Sequence, residues 1–238
     1  MSYYDHPFQY DLIRSSGYKE EVRFIDEVLC KHDFKSVVDV GCGTGEHVRL
    51  LAELGYKAVG IDSSSKMIGY AKQKKIAAAK FRKADMREYA IKSDSIICMY
   101  AAINYFKKEN EILEAFENFY KNLNSPGVLI IDTRYSKNLI EAPKSAIIEH
   151  DNGKILFISE WKKKGHMSAV YITKLAEISQ KPFIEIEEHE LNFLDPFWLK
   201  KKLNKTGFNV NIFEGFSKKP YEANSKEPRA TLLAYKQE

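Results

Sequence analysis

The sequence predicts an α/β protein: a doubly wound, mostly parallel, seven-stranded sheet with an antiparallel β insert after the fifth strand. Three observations carry this. Short β-rich runs alternate with amphipathic helical patterns through the first half of the chain, the signature of βαβ units. Three glycines fall within five positions directly behind an apolar run, in VVDVGCGTGEH from Val37 to His47. From Ser145 to Leu194 the pattern changes to period-two alternation. A chain of 238 residues has room for one such core carrying an insert.

The elements follow in order. YKEEVRFIDEVLCKH places Val22, Ile25, Val28 and Leu29 on one helical face, and SVVDVG reads as the first buried strand. EHVRLLAELG is a helix stopped by Gly55, KAVGID the second strand, and SSSKMIGYAKQ a serine-capped helix. AKFRKAD, SDSIICMY and GVLIIDT supply strands three to five, with a helix marked by Leu113, Phe116, Tyr120 and Leu123 before the last of them, ended by NSPG. SAIIEHDNGKILFISEW contains Asn152-Gly153, a dipeptide that favours a tight hairpin, and KKKGH and SQKP suggest two further reversals, so the insert reads as four antiparallel strands. DPFWLKKKLNKTG is a helix with Pro196 near its start and Gly207 past its end, and FNVNIFEGF and ATLLAYK close the sheet.

Composition narrows the function classes. Hydrophobic content of 44% with 29% charged residues is ordinary for a water-soluble enzyme. No apolar run approaches the roughly 20 residues of a membrane helix, and the start MSYYDHPFQYDLI lacks the pattern of an export signal, so a cytoplasmic protein with no membrane partner is expected. Cys30, Cys42 and Cys98 are far apart and form no C-x-x-C pair, consistent with reduced, packed thiols. The net charge of +4 resides largely in lysine runs without interleaved aromatics, which argues against a nucleic-acid track. The six histidines show no ligand spacing, and no metal is expected.

The glycine loop follows a strand and opens a helix, where backbone N–H groups can approach a ligand closely. It is not a lysine-bearing phosphate loop, since Glu46 stands where that motif needs glycine, and G-x-G-x-x-G fails at the same position. The spacing is D-x-G-x-G-x-G, formed by Asp39, Gly41, Gly43 and Gly45 with Cys42 inside. Carboxylates at Asp39 and Glu46 would repel a pyrophosphate and suit a cationic ligand.

With these residues the chain resembles the class I methyltransferases that use S-adenosylmethionine (SAM), a Rossmann-like family. The resemblance spans about 35 to 134 and the last two strands. It implies SAM as cofactor and S-adenosylhomocysteine as product. It also implies that Asp62, ending strand two in GIDSS, accepts the ribose hydroxyls, with Ser63 and Met67 in support. Asp85 and Met86, in KADMREY, would read the adenine. In CMYAAINYF a backbone carbonyl near Tyr100 or Ala101 would accept the ligand's ammonium.

The ends resemble a narrower group. YDHPFQYDLI is similar to the lid of many small-molecule N-methyltransferases, and the length, the insert and YAAINY resemble bacterial aminosugar N,N-dimethyltransferases and, more distantly, glycine-type N-methyltransferases. Where the sugar enzymes are aromatic and proline-rich after strand five, this chain has DTRYSKN. The resemblance places Tyr10 and Tyr105 at the acceptor as catalytic residues, and Tyr18, Arg134, Tyr135 and His150 are further candidates to touch the substrate. The organisation expected is a lid and first helix (1–34), a SAM-binding core (35–143 and 195–238), and a β insert (144–194) that contacts substrate or a second subunit, in a monomer or homodimer. Methyl transfer to a small-molecule amine leads, ahead of an RNA or protein methyltransferase and a SAM-binding module without catalysis.

Overall fold

The computed structural model describes residues 6–14, 17–135, 144–150, 153–164, 168–178 and 183–237. The chain runs through α1 (Pro7–Ile13), α2 (Tyr18–Lys31), β1 (Ser36–Val40), α3 (Glu46–Glu53), β2 (Lys57–Asp62), α4 (Ser65–Gln73), β3 (Ala79–Lys83) and β4 (Ser93–Cys98). A short 3-10 helix (Ala102–Tyr105), α5 (Glu109–Asn122) and β5 (Leu123–Arg134) complete the first half. The insert is β6 (Lys144–His150), β7 (Gly153–Lys164), β8 (Ser168–Ile178) and β9 (Phe183–Asn192), and α6 (Pro196–Thr206), β10 (Asn209–Glu214) and β11 (Arg229–Lys236) close the core.

The large sheet has seven strands in the order β10-β11-β5-β4-β1-β2-β3. β1 to β5 pair in parallel, and β11 lies antiparallel to both β5 and β10. The order reverses between β1 and β4, so their carboxyl ends open the crevice in which doubly wound sheets hold ligands. Successive residues of the central strands are buried on opposite faces. Val38, Val40, Ile96, Cys98, Leu129 and Ile131 pack with α5 and α6, while Val37, Ile97, Val128 and Ile130 pack with α2, α3 and α4. Burial on both faces explains why these strands read as continuous apolar runs.

The four-stranded sheet, β6-β7-β8-β9, is antiparallel throughout. Its first hairpin sits one residue from expectation. His150 pairs with Gly153, so Gly153 belongs to the strand, and the two connecting residues lie outside the described set. Two other local expectations shift. NSPG falls within the span of β5, which begins at Leu123. α5 buries Ile112, Ala115, Phe116 and Phe119 rather than the stripe through Leu113 and Tyr120, because Leu123 has already left the helix. Pro196 begins α6 and Gly207 ends it in the left-handed region, as the sequence suggested, and Asp195 caps it by accepting from Phe197 N and Trp198 N.

The lid segment is itself a helix, α1, whose Tyr10, Leu12 and Ile13 pack, together with Phe157, on Ile155 of β7. The insert and the glycine loop therefore enclose the lid from two sides. No helix among the described residues is long and apolar enough to cross a membrane.

Candidate functional site

The site starts where β1 runs out. Gly41 N and Cys42 N donate to Ile61 O at 2.8 and 2.9 Å, tying the loop to the end of β2. Gly41 has φ of 77°, and a Cβ there would sit 3.0 Å from the Ala102 Cβ. Gly45, at φ of 80°, opens α3, and a Cβ on it would strike the Phe81 ring. Both positions require glycine for conformation and space. Cys42 packs inside the loop, and burial pushes its thiol well up.

Carboxylates frame this loop. Asp62 Oδ2 accepts from Gly43 N at 2.9 Å and Oδ1 from Ser64 N at 2.8 Å. Burial raises its pKa against those two bonds. Ser64, not Ser63, caps α4 by accepting from Met67 N; Ser63 is exposed, and Met67 is wholly buried as core. Asp39 is buried, and neither of its oxygens has a hydrogen-bond partner. Burial pushes its pKa up to about 6, against the pull of His47, whose Nδ1 is 3.9 Å away.

On the adenine side, the Asp85 carboxylate is held by Arg87, through Nε at 2.9 Å and Nη2 at 2.7 Å, and this hydrogen bonding lowers its pKa. Met86 reaches the glycine loop, its methyl 3.8 Å from where a Gly41 Cβ would lie. After β4, Tyr100 and Ala101 adopt φ of 61° and 56°, an unfavourable conformation for residues with a Cβ. The Ala101 N–H donates to Asp132 Oδ1 at 2.9 Å.

α1 lies over these groups. The Tyr10 ring is about 3.9 Å from the position of a Gly43 Cβ, and burial pushes its hydroxyl up to about 12. Asp11 bonds Thr44 Oγ1 and pairs with Lys74 at 2.7 Å. Arg14 ends α1 with its guanidinium 3.0 Å from the Tyr100 ring centre and 4.6 Å from that of Tyr18. It pairs with Glu21 at 3.1 Å, yet its Nε and Nη1 are buried without hydrogen-bond partners. Glu21 also accepts from Arg229 at 3.2 Å and meets His47 Nε2 at 2.6 Å. Burial disfavours the Glu21 anion, but the His47 hydrogen bond and the nearby cations overcome it and hold the pKa down at about 2.

The proposed acceptor residues have different surroundings. Tyr105 is partly exposed and meets His189 of β9 edge-on at 6.2 Å. Tyr18 is buried with its ring edge-on to His47 at 4.9 Å. Arg134 ends β5 and borders an open cavity of about 540 Å³ with Glu20, Phe216 and Arg229. Tyr135 bonds Asp195, and its pKa is raised by burial first and then by that bond. His150 ends β6, but its side chain lies outside the described residues. Arg14, Glu21, His47, Asp132 and Arg229 were not anticipated from sequence. In retrospect the weak signals were two charged residues on apolar helix faces and an arginine opening an apolar strand.

The donor set fits SAM: an unpartnered buried carboxylate for a cation, a second carboxylate at the end of β2, and unpartnered guanidinium nitrogens for the amino-acid carboxylate. Residues 37–127 match the family model described as a methyltransferase domain. By that match the core is similar to the methyltransferase-domain family. The chain is 30% identical over 147 residues to the putative methyltransferase YqeM of Bacillus subtilis (strain 168), a match that spans 59% of each chain. It is 22% identical over 216 residues to dTDP-3-amino-3,6-dideoxy-alpha-D-glucopyranose N,N-dimethyltransferase of Streptomyces fradiae, covering 87% of this chain and 84% of that one. The fold superimposes on Streptomyces venezuelae DesVI with a TM-score of 0.83 at 17% identity, across 99% of both chains. Among the described residues there is no cluster of three potential metal ligands.

Proposed function

We propose that the protein moves a methyl group from SAM to a small-molecule acceptor, an amine nitrogen. The observation that carries this reading is Asp39: a buried carboxylate with two unpartnered oxygens behind a glycine loop calls for a cationic ligand. Asp39 would face the ligand's positive end, Asp62 the ribose, Arg14 the carboxylate, and a carbonyl of the Tyr100–Ala101 turn the ammonium. Asp85 would first have to share its carboxylate between Arg87 and an adenine amine, and Met86 would lie along the base. Bound SAM supplies a methyl group already activated on its sulfonium. What remains for the chain is positioning, which supplies roughly 7 to 11 kcal/mol in well-oriented reactions. Tyr10, over the loop, and Tyr105, at the insert, would orient the acceptor and exclude water.

The aminosugar class of acceptor is supported by the Streptomyces relative and its layout. We further propose that the insert acts as a subdomain between acceptor and partner, with a second copy of this chain on its outer face, where Ile147 and Ile186 are exposed. The free cysteines among the described residues agree with work in the reducing cytoplasm. A methyl-transfer screen with labelled SAM against amines, amino sugars and hydroxyl metabolites tests the function. Label transferred to an amine supports it; transfer only to RNA or protein, or to nothing, overturns it.

A further inference from the structure

Beneath the lid lies a buried ion cluster that cofactor binding does not by itself account for. Arg229 opens β11 with its side chain only 19% exposed. Its Nη1 donates to Glu21 Oε1 at 3.2 Å, and its Nε is 3.4 Å from Asp132 Oδ2. The same guanidinium lies 5.5 Å from the centre of the Tyr100 ring and 5.3 Å from that of Phe216. Asp132 is fully buried and uses its other oxygen to hold the Ala101 N–H. Glu21, at the opposite end of the bridge, carries Arg14 of the lid and His47 of α3. One arginine thus stands between the lid and the left-handed turn after β4.

We propose that Arg229 is a positioning residue that couples the seating of the lid to the geometry of the Tyr100–Ala101 turn. The inference rests on the SAM-binding reading and goes beyond it. Two buried carboxylates share Arg229, and a buried carboxylate stripped of its counter-charge is strongly disfavoured. With Arg14 seated, Glu21 has three partners, and Arg229 is free to lean on Asp132. Withdrawal of Arg14 leaves Glu21 short of positive charge and draws Arg229 toward it, away from Asp132. Asp132 then loses the group that steadies the oxygen opposite Ala101, and the turn loses the support that holds two non-glycine residues in the left-handed region. Ligand under the lid and carbonyls presented by the turn are therefore linked through a shared ion rather than through contact.

A double-mutant cycle in two backgrounds tests this, with S-adenosylhomocysteine titrated calorimetrically into the full chain. With Arg229 present, Arg14→Met and Asp132→Asn should each weaken binding, and the double variant should lose about threefold less than the product of the two separate losses. In an Arg229→Met background the two losses should multiply. Should Arg229→Met fail to fold, Arg229→Lys takes its place, because one ammonium reaches a single carboxylate without bridging two, and the same multiplication is expected. Multiplying losses with Arg229 intact, or the same coupling without it, would overturn the inference while leaving cofactor binding in place. A wild-type chain that binds no S-adenosylhomocysteine would overturn the cofactor reading and the inference with it.

Discussion

Asp39 shows how much one side chain can disclose. Its folded pKa of about 6 lies above the unfolded range near 3.9, so the protonated form is favoured in the folded state, and stability contributed by that proton is lost as pH rises from about 4 through 6. Glu21 runs the other way: held at about 2, it stabilises above its ordinary range and loses that contribution as pH falls toward 2. A cationic ligand binds the ionised form of Asp39, so SAM affinity should rise between pH 5 and 7, and Asp39→Asn should flatten the profile. Calorimetry across that range decides it; a flat wild-type profile would remove Asp39 from the site. Asp62→Ala should weaken SAM by about 1.5 to 3 kcal/mol, since a charged acceptor is lost from a partly closed pocket, and it also frees the Gly43 N–H. Asp85→Ala should cost less, because Arg87 already occupies that carboxylate. Equal affinities for both variants and the wild type would show that the ligand is held elsewhere. The loop glycines and both strand-end aspartates were legible in sequence because each follows directly on an apolar run. Arg229 and Glu21 were not: they meet across 208 positions, and no local pattern records such a meeting.

Among the elements, the lid is the clearest case of local signals falling short. Its aromatic segment forms α1 because Pro7 starts a helix well, and it is placed by Ile155 on one side and the glycine loop on the other. Ile155 is almost wholly buried, and Ile155→Ala should cost about 2 to 4 kcal/mol, part of it as loosened lid packing. Faster trypsin cleavage after Arg14 in that variant, with the wild type protected, is the expected result. Tyr10→Phe and Tyr105→Phe should leave SAM affinity within about threefold, under 1 kcal/mol, yet lower turnover with the true acceptor by about tenfold or more. Unchanged turnover in both would take these tyrosines out of the acceptor site. Capping signals at α4 and α6 located their helices well, whereas the Asn152-Gly153 dipeptide missed the hairpin register by one residue. Cross-strand pairing over the length of β6 and β7 outweighs the preference of one dipeptide.

At the scale of the whole molecule, the proposed assembly is tested at the insert's outer face. Register places residues 147, 156, 176 and 184 in one cross-strand row and residue 186 in the next row of the same face, and Ile147 and Ile186 are both exposed, so this is the face on which the proposed second copy would sit. Sedimentation should show a dimer for the wild type and a monomer for the Ile147→Lys, Ile186→Lys double variant; a monomeric wild type would refute the assembly. The alternation of β-rich runs with amphipathic helices by itself determined the doubly wound sheet, since strands buried on both faces must read as unbroken apolar runs and crossover helices must show one apolar stripe. The D-x-G-x-G-x-G spacing likewise determined the glycine loop between β1 and α3. Only the tertiary structure decided that the lid lies between insert and loop, and that Arg14, Glu21, His47 and Arg229 share one buried cluster. Hydrophobic periodicity is written along the chain at short range, but a desolvated charge is placed by whichever distant partner can neutralise it.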